Sequence, residues 1–261
     1  MTLRAATDPG DYRSILWRPP STMRWGLPSA LVVVVFFALE PLVPVALARF
    51  GVRLPTAGGL ALGIGAYAVA VVYAVVVARR LGSGSLRREY GLAIRPVDLG
   101  IGLLAAIAVE IVRVITGVVL ASSTPARPTT NVHLAGSTAG NVVLGVVAIV
   151  VAPTVEELIT RGMLMRALRA SLLRRRAEPS EGRRHLAVDT SVLLSAAVFT
   201  ALHLHEAPDL VTAVDLVLGI FPIGLVVAWL ATRTGRLGPG IVTHALVNAL
   251  ALAAALALAR G

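Results

Sequence analysis

Two adjacent carboxylates and an arginine interrupt a long apolar stretch of the chain. Glu156 and Glu157 come just after the run VVLGVVAIVVAP, and Arg161 follows four residues after the second glutamate. On a helix, residues four apart share a face, whereas adjacent residues point about 100° apart. Arg161 is therefore expected to pair with Glu157, which leaves Glu156 without a local partner. Such a carboxylate suits a general base, although a helix end at the membrane interface would also place Glu and Arg together in water.

Two later segments each carry a polar pair at helical spacing. In FTALH, Phe199 and His203 are four apart, and in HALVN, His244 and Asn248 are four apart. A single histidine in an apolar helix is usually a hydrogen-bonded structural residue. A His–Asn pair on one face offers two donors aimed at one point, as an oxyanion requires. One glutamate, two histidines and one asparagine could thus hydrolyse a peptide bond without a serine or cysteine nucleophile.

The elements that must hold these residues are membrane helices. The chain has 261 residues, of which 56% are hydrophobic, and its mean hydropathy is +0.81. Apolar windows of about 17–25 residues recur, long enough to cross a bilayer. The sequence predicts an all-α polytopic transmembrane bundle of about seven spans, near Pro28–Leu47, Gly58–Ala78, Leu99–Leu120, Asn141 to Arg161, Val188–Leu204, Leu210–Ala231 and Gly240–Ala259.

The charges predict how the bundle is oriented. All 24 basic residues are arginines, and the net charge is +10. They concentrate in the N-terminal tail and in the second, fourth and sixth loops between spans, a distribution that predicts a cytoplasmic N-terminus in a multi-pass protein of the cell membrane. Orientation signals also explain the basic charge without a nucleic-acid partner. The predicted divisions are a cytoplasmic tail (1–27), N-terminal spans (28–140) and a catalytic transmembrane core (141–261).

Other ionisable residues within predicted spans are each a functional hypothesis. Glu110 and Arg113 are three apart and are expected to neutralise each other. Glu40 and Asp215 are single and receive no role. The segment GMLMRALRASLLRRR, after Arg161, could be an interfacial helix against anionic lipid or a cytoplasmic extension of the fourth span.

The three motifs EELITR, FTALH and HALVN, in this order and each in an apolar segment, resemble the CAAX protease and bacteriocin-processing (Abi) family. This family includes the type II CAAX prenyl endopeptidases and the Ras-converting enzyme. The resemblance covers roughly residues 141–251. It implies an all-α intramembrane protease whose site opens toward the cytoplasm and whose substrate is a peptide or a membrane protein, with lipidated substrates included.

The resemblance also implies roles for individual residues. Glu156 would be the general base, and His203 would position and activate the water. His244 and Asn248 would stabilise the oxyanion. Glu157 and Arg161 would support the site, and Phe199 would shape the pocket.

The sequence leaves alternatives open for the cofactor and for the function. Glu156, His203 and His244 could bind zinc, but the chain has no His-Glu-x-x-His, and the same residues suffice for metal-free activation of water. The favoured expectation is that no cofactor is required. A non-catalytic membrane immunity or partner-binding protein of the same fold is the alternative function. A transporter would show repeated spans, and the sequence has no evident repeat.

The catalytic interpretation requires His203 and Glu156 to lie at a similar depth in the bilayer. If the fifth span enters the bilayer at Val188, His203 and Glu156 would lie at different depths. The helix is therefore expected to begin a turn or two earlier, with Asp189 or Thr190 near its N-cap, or to tilt. A separation above about 10 Å without a common cavity would exclude joint action, which needs near hydrogen-bond reach.

Overall fold

The architecture comes from a computed structural model, which describes residues 23–124, 134–173 and 180–259. Most of the N-terminal tail, Arg127 and the arginine run at 174–176 lie outside the described residues. Every regular element in the described ranges is helical. The helices are α1 (Leu27–Leu39), α2 (Leu42–Arg49), α3 (Thr56–Leu81), α4 (Leu86–Tyr90), α5 (Pro96–Ser123), α6 (Thr138–Leu173), α7 (Glu181–His203), α8 (Leu210–Thr234) and α9 (Gly238–Leu258).

The predicted bundle of about seven spans is confirmed. Six of these helices are long and apolar enough to cross a membrane, and the bent pair α1–α2 makes a seventh if it is one span. The prediction for the first span was wrong in one respect: Pro28–Leu47 is not one continuous helix but two helices that meet at an angle of 45°. The break falls at Glu40 and Pro41, where a proline lacks the N–H of an interior helix bond and crowds the preceding turn.

The fifth span begins before Val188, as the depth argument requires. α7 begins at Glu181, and the Ser180 side chain accepts a hydrogen bond from the Arg183 backbone N–H at 3.4 Å. The N-cap prediction was wrong, because Asp189 and Thr190 lie well inside the helix. Hydropathy located the apolar part of this helix, whereas the capping serine sets its start. The seven extra residues lengthen it by about 10 Å.

Several loop contacts join the helices at one end of the bundle, which we call the arginine-rich end. The backbone N–H of Leu237 donates to Gly91 O at 2.8 Å. Arg236 forms an ion pair with Asp98 at the start of α5, and this hydrogen bond raises the pKa of Arg236. These contacts tie the α8–α9 turn to the α4–α5 region. The described arginines of the loops and helix ends here are Arg24, Arg79, Arg80, Arg87, Arg88, Arg95, Arg183, Arg184, Arg233 and Arg236.

The two halves of α6 differ in burial. All eight residues from Leu158 to Met165 are buried, whereas none of those from Thr138 to Val151 is. Arg166 and Arg169 are buried as well, so this part of α6 is a packed extension of the span rather than an interfacial helix. Both guanidinium groups donate hydrogen bonds to uncharged oxygen atoms. Arg166 donates to the backbone carbonyls of Glu89 and Gly235. Arg169 donates to the hydroxyls of Ser191 and Thr232.

Candidate active site

The two carboxylate oxygens of Glu156 have different surroundings. The hydroxyl of Tyr67, on α3, donates to Oε1 at 2.7 Å. Oε2 is buried without a hydrogen-bond partner among the described residues, although 17% of the Glu156 side chain is exposed. The sequence required a partner from elsewhere for Glu156 but did not identify Tyr67. The only available signal was a phenol in an apolar span that carries two tyrosines, Tyr67 and Tyr73, and neither matched a motif.

Two histidines converge on the free oxygen of Glu156. The Nε2 atoms of His203 and His244 each lie 3.8 Å from Oε2. These distances are too long for a direct hydrogen bond and suit one bridging water. Three residues predicted from three motifs thus meet from α6, α7 and α9, well within the 10 Å limit set by the sequence argument.

The tautomer of His203 follows from its backbone contact. Its Nδ1 lies 2.8 Å from the carbonyl oxygen of Phe199. A carbonyl only accepts, so Nδ1 carries the hydrogen and Nε2 of the neutral ring presents a lone pair to Glu156. The Phe199 ring meets both histidines edge-on, with centroid distances of 4.7 Å to His203 and 5.4 Å to His244.

Glu157 and Arg161 form the predicted pair. Arg161 Nη1 lies 3.0 Å from Glu157 Oε1, and both residues are fully buried. Arg161 also donates to Gly224 O at 3.0 Å and places its guanidinium 4.3 Å from the centre of the Phe199 ring. His244 Nδ1 lies 3.4 Å from the same Glu157 oxygen. The imidazole of His244 therefore sits between the two glutamates, one at each nitrogen.

Glycines on α8 and α9 make room for this pair. A Cβ at Gly240 would lie 3.3 Å from Glu157 Oε2 and 3.2 Å from Val227 Cβ. A Cβ at Gly224 would lie 3.3 Å from Arg161 Nη2. All three distances are tighter than ordinary contacts, so the absence of a side chain lets α8 and α9 approach the charged pair.

Asn248 contacts the backbone of α6. Its Nδ2 donates to Ala148 O at 2.8 Å, in a π-helical turn where Ala152 N–H bonds to Val147 O. The next carbonyl in that pattern, Ala148, would need an N–H from residue 153, which is a proline and has none. Asn248 supplies the missing donor. One amide hydrogen is therefore used on α6, and the second is left for the oxyanion that the resemblance assigns to this residue.

The site opens into a cavity of about 160 Å³. Its polar lining includes Tyr67, Glu156 and His203, and also Glu40, to which the sequence gave no role. The remaining lining residues are Phe37, Pro41, Gly63, Ala66, Ile159, Thr160, Phe199, Leu202, His205 and Glu206. Glu110 and Arg113 do not line it and pair with each other at 2.7 Å, as the sequence predicted.

The zinc alternative can be tested against this geometry. Ligand atoms about 2.0–2.1 Å from a tetrahedral zinc lie roughly 3.4 Å apart, closer than the 3.8 Å from Glu156 Oε2 to each histidine. Among the residues that the structure describes, no group of three or more His, Cys, Asp or Glu side chains could hold a metal ion. As arranged, the three side chains are therefore spaced more widely than zinc ligands would be, and the expectation that no cofactor is required stays a prediction.

Comparison with known proteins gives one match. Residues 138–250 match the family described as type II CAAX prenyl endopeptidase Rce1-like. The matched segment runs from the first turn of α6 into α9 and contains all seven predicted site residues. No curated protein and no solved structure is significantly similar to the chain. Over residues 138–250, this multi-pass membrane protein is therefore similar to the Rce1-like type II CAAX prenyl endopeptidases, a family of proteases.

Proposed function

We propose that the protein is an intramembrane endopeptidase that hydrolyses a peptide bond with water activated by Glu156. One observation carries the proposal: the unpartnered Oε2 of Glu156 faces the Nε2 atoms of His203 and His244, each at 3.8 Å. A carboxylate oxygen and the bare Nε2 of His203 are both acceptors. A water molecule can donate one hydrogen to each, which leaves its lone pairs for attack.

The reaction then follows from these positions. The water oxygen attacks the carbonyl carbon of the scissile bond, and its proton passes to Glu156. A His244 protonated at both nitrogens donates through Nδ1 to Glu157 and through Nε2 to the oxyanion. The second amide hydrogen of Asn248 serves the same oxyanion. Glu156 returns the proton to the leaving nitrogen as the C–N bond breaks, which gives a carboxylic acid and an amine.

The neighbours of Glu156 prepare it for this role. Tyr67 holds Oε1 and so fixes the direction of Oε2. Arg161 neutralises Glu157, which would otherwise repel the ionised Glu156 beside it in the chain. Phe199 packs against both histidines and restricts their rings. We assign Tyr67, Glu157, Arg161 and Phe199 as positioning residues and no cofactor to the reaction.

The test compares Glu156→Gln with the matched variant Glu110→Gln, a second substitution of an intramembrane glutamate that lies outside the cavity. Full-length proteins in liposomes are assayed with a quenched fluorescent peptide library, both plain and farnesylated. Glu156→Gln is expected to abolish cleavage while the protein keeps its thermal unfolding temperature. Glu110→Gln is expected to retain cleavage.

The same assay with a chelator present tests whether cleavage requires a metal ion. Cleavage that survives chelation supports activation by the carboxylate alone. Cleavage that is lost to chelator and restored by zinc would contradict the proposed mechanism. If folded wild-type protein cleaves no peptide in either form, the enzymatic proposal fails and the non-catalytic, partner-binding function becomes the better one.

A further inference from the structure

The wall of the cavity beside Glu156 is built from two parts of the chain. Of its fourteen described lining residues, eight lie within the segment 138–250 that matches the family, and six come from α1, α3 and the break between α1 and α2. These six are Phe37, Glu40, Pro41, Gly63, Ala66 and Tyr67. The matched segment supplies the predicted catalytic residues, whereas a large share of the surface that a substrate would contact comes from helices outside it.

The ionisable side chains in this wall are unbalanced in charge. Three of them are carboxylates, those of Glu40, Glu156 and Glu206, and the other two are histidines. The chain has no lysine, and no arginine is among the described lining residues. Arg161 lies outside the lining and is paired with Glu157. Because charges interact strongly where water is scarce, the cavity favours a cationic group and disfavours an anionic one.

Glu40 is the carboxylate in this wall for which the structure shows no partner. It follows the last residue of α1, and the break before α2 places it and Pro41 in the cavity wall. Its side chain forms no hydrogen bond or ion pair with any described residue. The Tyr67 hydroxyl, which donates to Glu156, lies close enough to Glu40 to experience its charge. An unpaired carboxylate among membrane helices is costly and marks a functional site.

The size of the cavity corresponds to one substrate side chain. Its volume is about 160 Å³, and an apolar cavity of about 150 Å³ takes up a benzene molecule. Phe37, Ala66 and Leu202 give the wall apolar surface, and Glu40 gives it a charged point. Lysine and arginine side chains have the complementary build, with an apolar stem and a cationic head.

We propose that Glu40 determines specificity by binding a lysine or arginine side chain of the substrate, beside the peptide bond that Glu156 hydrolyses. The stem of this side chain packs against the apolar wall, and its cationic head reaches the Glu40 carboxylate. An arginine can donate two hydrogen bonds to the carboxylate. The inference rests on the proposed peptidase function and names its substrate class: peptide or membrane-protein segments with a basic residue next to the cleavage site.

The test uses one apolar host peptide of alanine and leucine, made with Lys, Gln or Glu at each position in turn. Full-length protein in lipid nanodiscs is assayed, and kcat/KM is measured for each peptide. At one position near the cleaved bond, wild-type protein is expected to prefer Lys over Gln roughly 10- to 100-fold, the effect of one hydrogen bond to a charged group. The Glu peptide is expected to be the poorest substrate.

Variants of Glu40 show whether this residue causes the preference. Glu40→Gln is expected to remove most of it, and Glu40→Lys to reverse it in favour of the Glu peptide. The matched control Glu110→Gln changes a glutamate outside the cavity and should keep the wild-type ratio. The proposal is overturned if Glu40→Gln keeps that ratio, or if wild-type protein cleaves the Lys and Gln peptides equally at every position. The wild-type comparison needs no variant, so it decides even if the Glu40 variants do not fold.

A binding measurement separates this inference from the proposed function. Glu156→Gln protein in nanodiscs is titrated with fluorescently labelled Lys, Gln and Glu versions of the same host peptides. Tighter binding of a Lys peptide that is lost on addition of Glu40→Gln, without cleavage of any peptide by wild-type protein, would retain the cation site and reject the peptidase. Cleavage with no difference among the three versions would do the reverse. If no peptide is bound or cleaved, both proposals are rejected.

Discussion

Two neighbouring glutamates in this chain have different partners, and the roles proposed for them differ accordingly. Glu157 is neutralised by Arg161 one helical turn away, and spacing alone predicted that contact. Glu156 is held at one oxygen by Tyr67 and faces two histidines with the other. The histidines were predictable from their motifs. Tyr67 was not, because nothing in the sequence of α3 specifies which helix it faces.

Removal of the Tyr67 hydroxyl should impair the reaction more than the fold. Hydrogen bonds to charged groups contribute about 1.5–3 kcal/mol, so Tyr67→Phe is expected to lower kcat roughly 10- to 100-fold. The matched control is Tyr73→Phe on the same helix, whose hydroxyl donates to Ser29 O on α1. The kinetic constants and the unfolding temperature are measured for both variants. Equal loss of kcat in both, or a loss of stability that accounts for the rate, would contradict a positioning role for Tyr67.

At the scale of the elements, α6 departs from a regular helix on both sides of Glu156. Its π-helical segments are Val147–Val151 and Leu158–Met165, and such segments often occur at functional sites. Apolar windows predicted the spans well, since membrane helices need long apolar runs. They could not predict the π turns, the bend at Pro41 or the start of α7, because these depend on single groups. Pro153 and Pro41 lack a backbone N–H, and the Ser180 side chain caps α7.

A double-mutant cycle can separate the two roles of Asn248. Asn248→Ala leaves the Ala148 carbonyl without its donor, at a cost of about 1–3 kcal/mol. Pro153→Ala restores an N–H to α6 at the position from which that carbonyl lacks one. In the Pro153→Ala background, Asn248→Ala is therefore expected to lower the unfolding temperature less than it does alone.

The activity of the same variants tests the oxyanion role. If Asn248 stabilises the oxyanion, its replacement lowers kcat equally in both backgrounds. Recovery of kcat together with stability in the double variant would show that Asn248 acts only by supporting α6.

At the scale of the whole molecule, the N-terminal helices and the matched region of the family are joined at the arginine-rich end. Arg236 in the α8–α9 turn pairs with Asp98, which is fully buried at the start of α5. This turn leads directly into α9, and α9 carries His244. The sequence predicted the separate spans but not this contact, because 138 residues separate the two partners.

The Arg236–Asp98 pair should be needed for stability. Arg236→Ala leaves a buried carboxylate without its ion partner, so we expect a loss of about 3–5 kcal/mol in the free energy of unfolding. The control variant Arg87→Ala removes an exposed arginine from the same end of the bundle and should change stability little. Thermal and denaturant unfolding in detergent measure both.

A second variant shows whether the pair itself is responsible. Asp98→Asn combined with Arg236→Ala removes the unpaired charge and is expected to recover part of the lost stability. If the double variant is less stable than Arg236→Ala by the full cost of Asp98→Asn measured alone, the two residues act independently and the assignment is wrong.

The packed half of α6 also has an electrical consequence. A potential of 100 mV across a sealed membrane corresponds to about 2.3 kcal/mol per elementary charge. A cavity reaches Glu156, whereas all residues from Leu158 to Met165 are buried. Where this packed half lies within the bilayer, we expect the voltage to fall mainly across it, with the Glu157–Arg161 pair inside that field. A bundle built in this way can admit water to Glu156 without becoming a leak for ions.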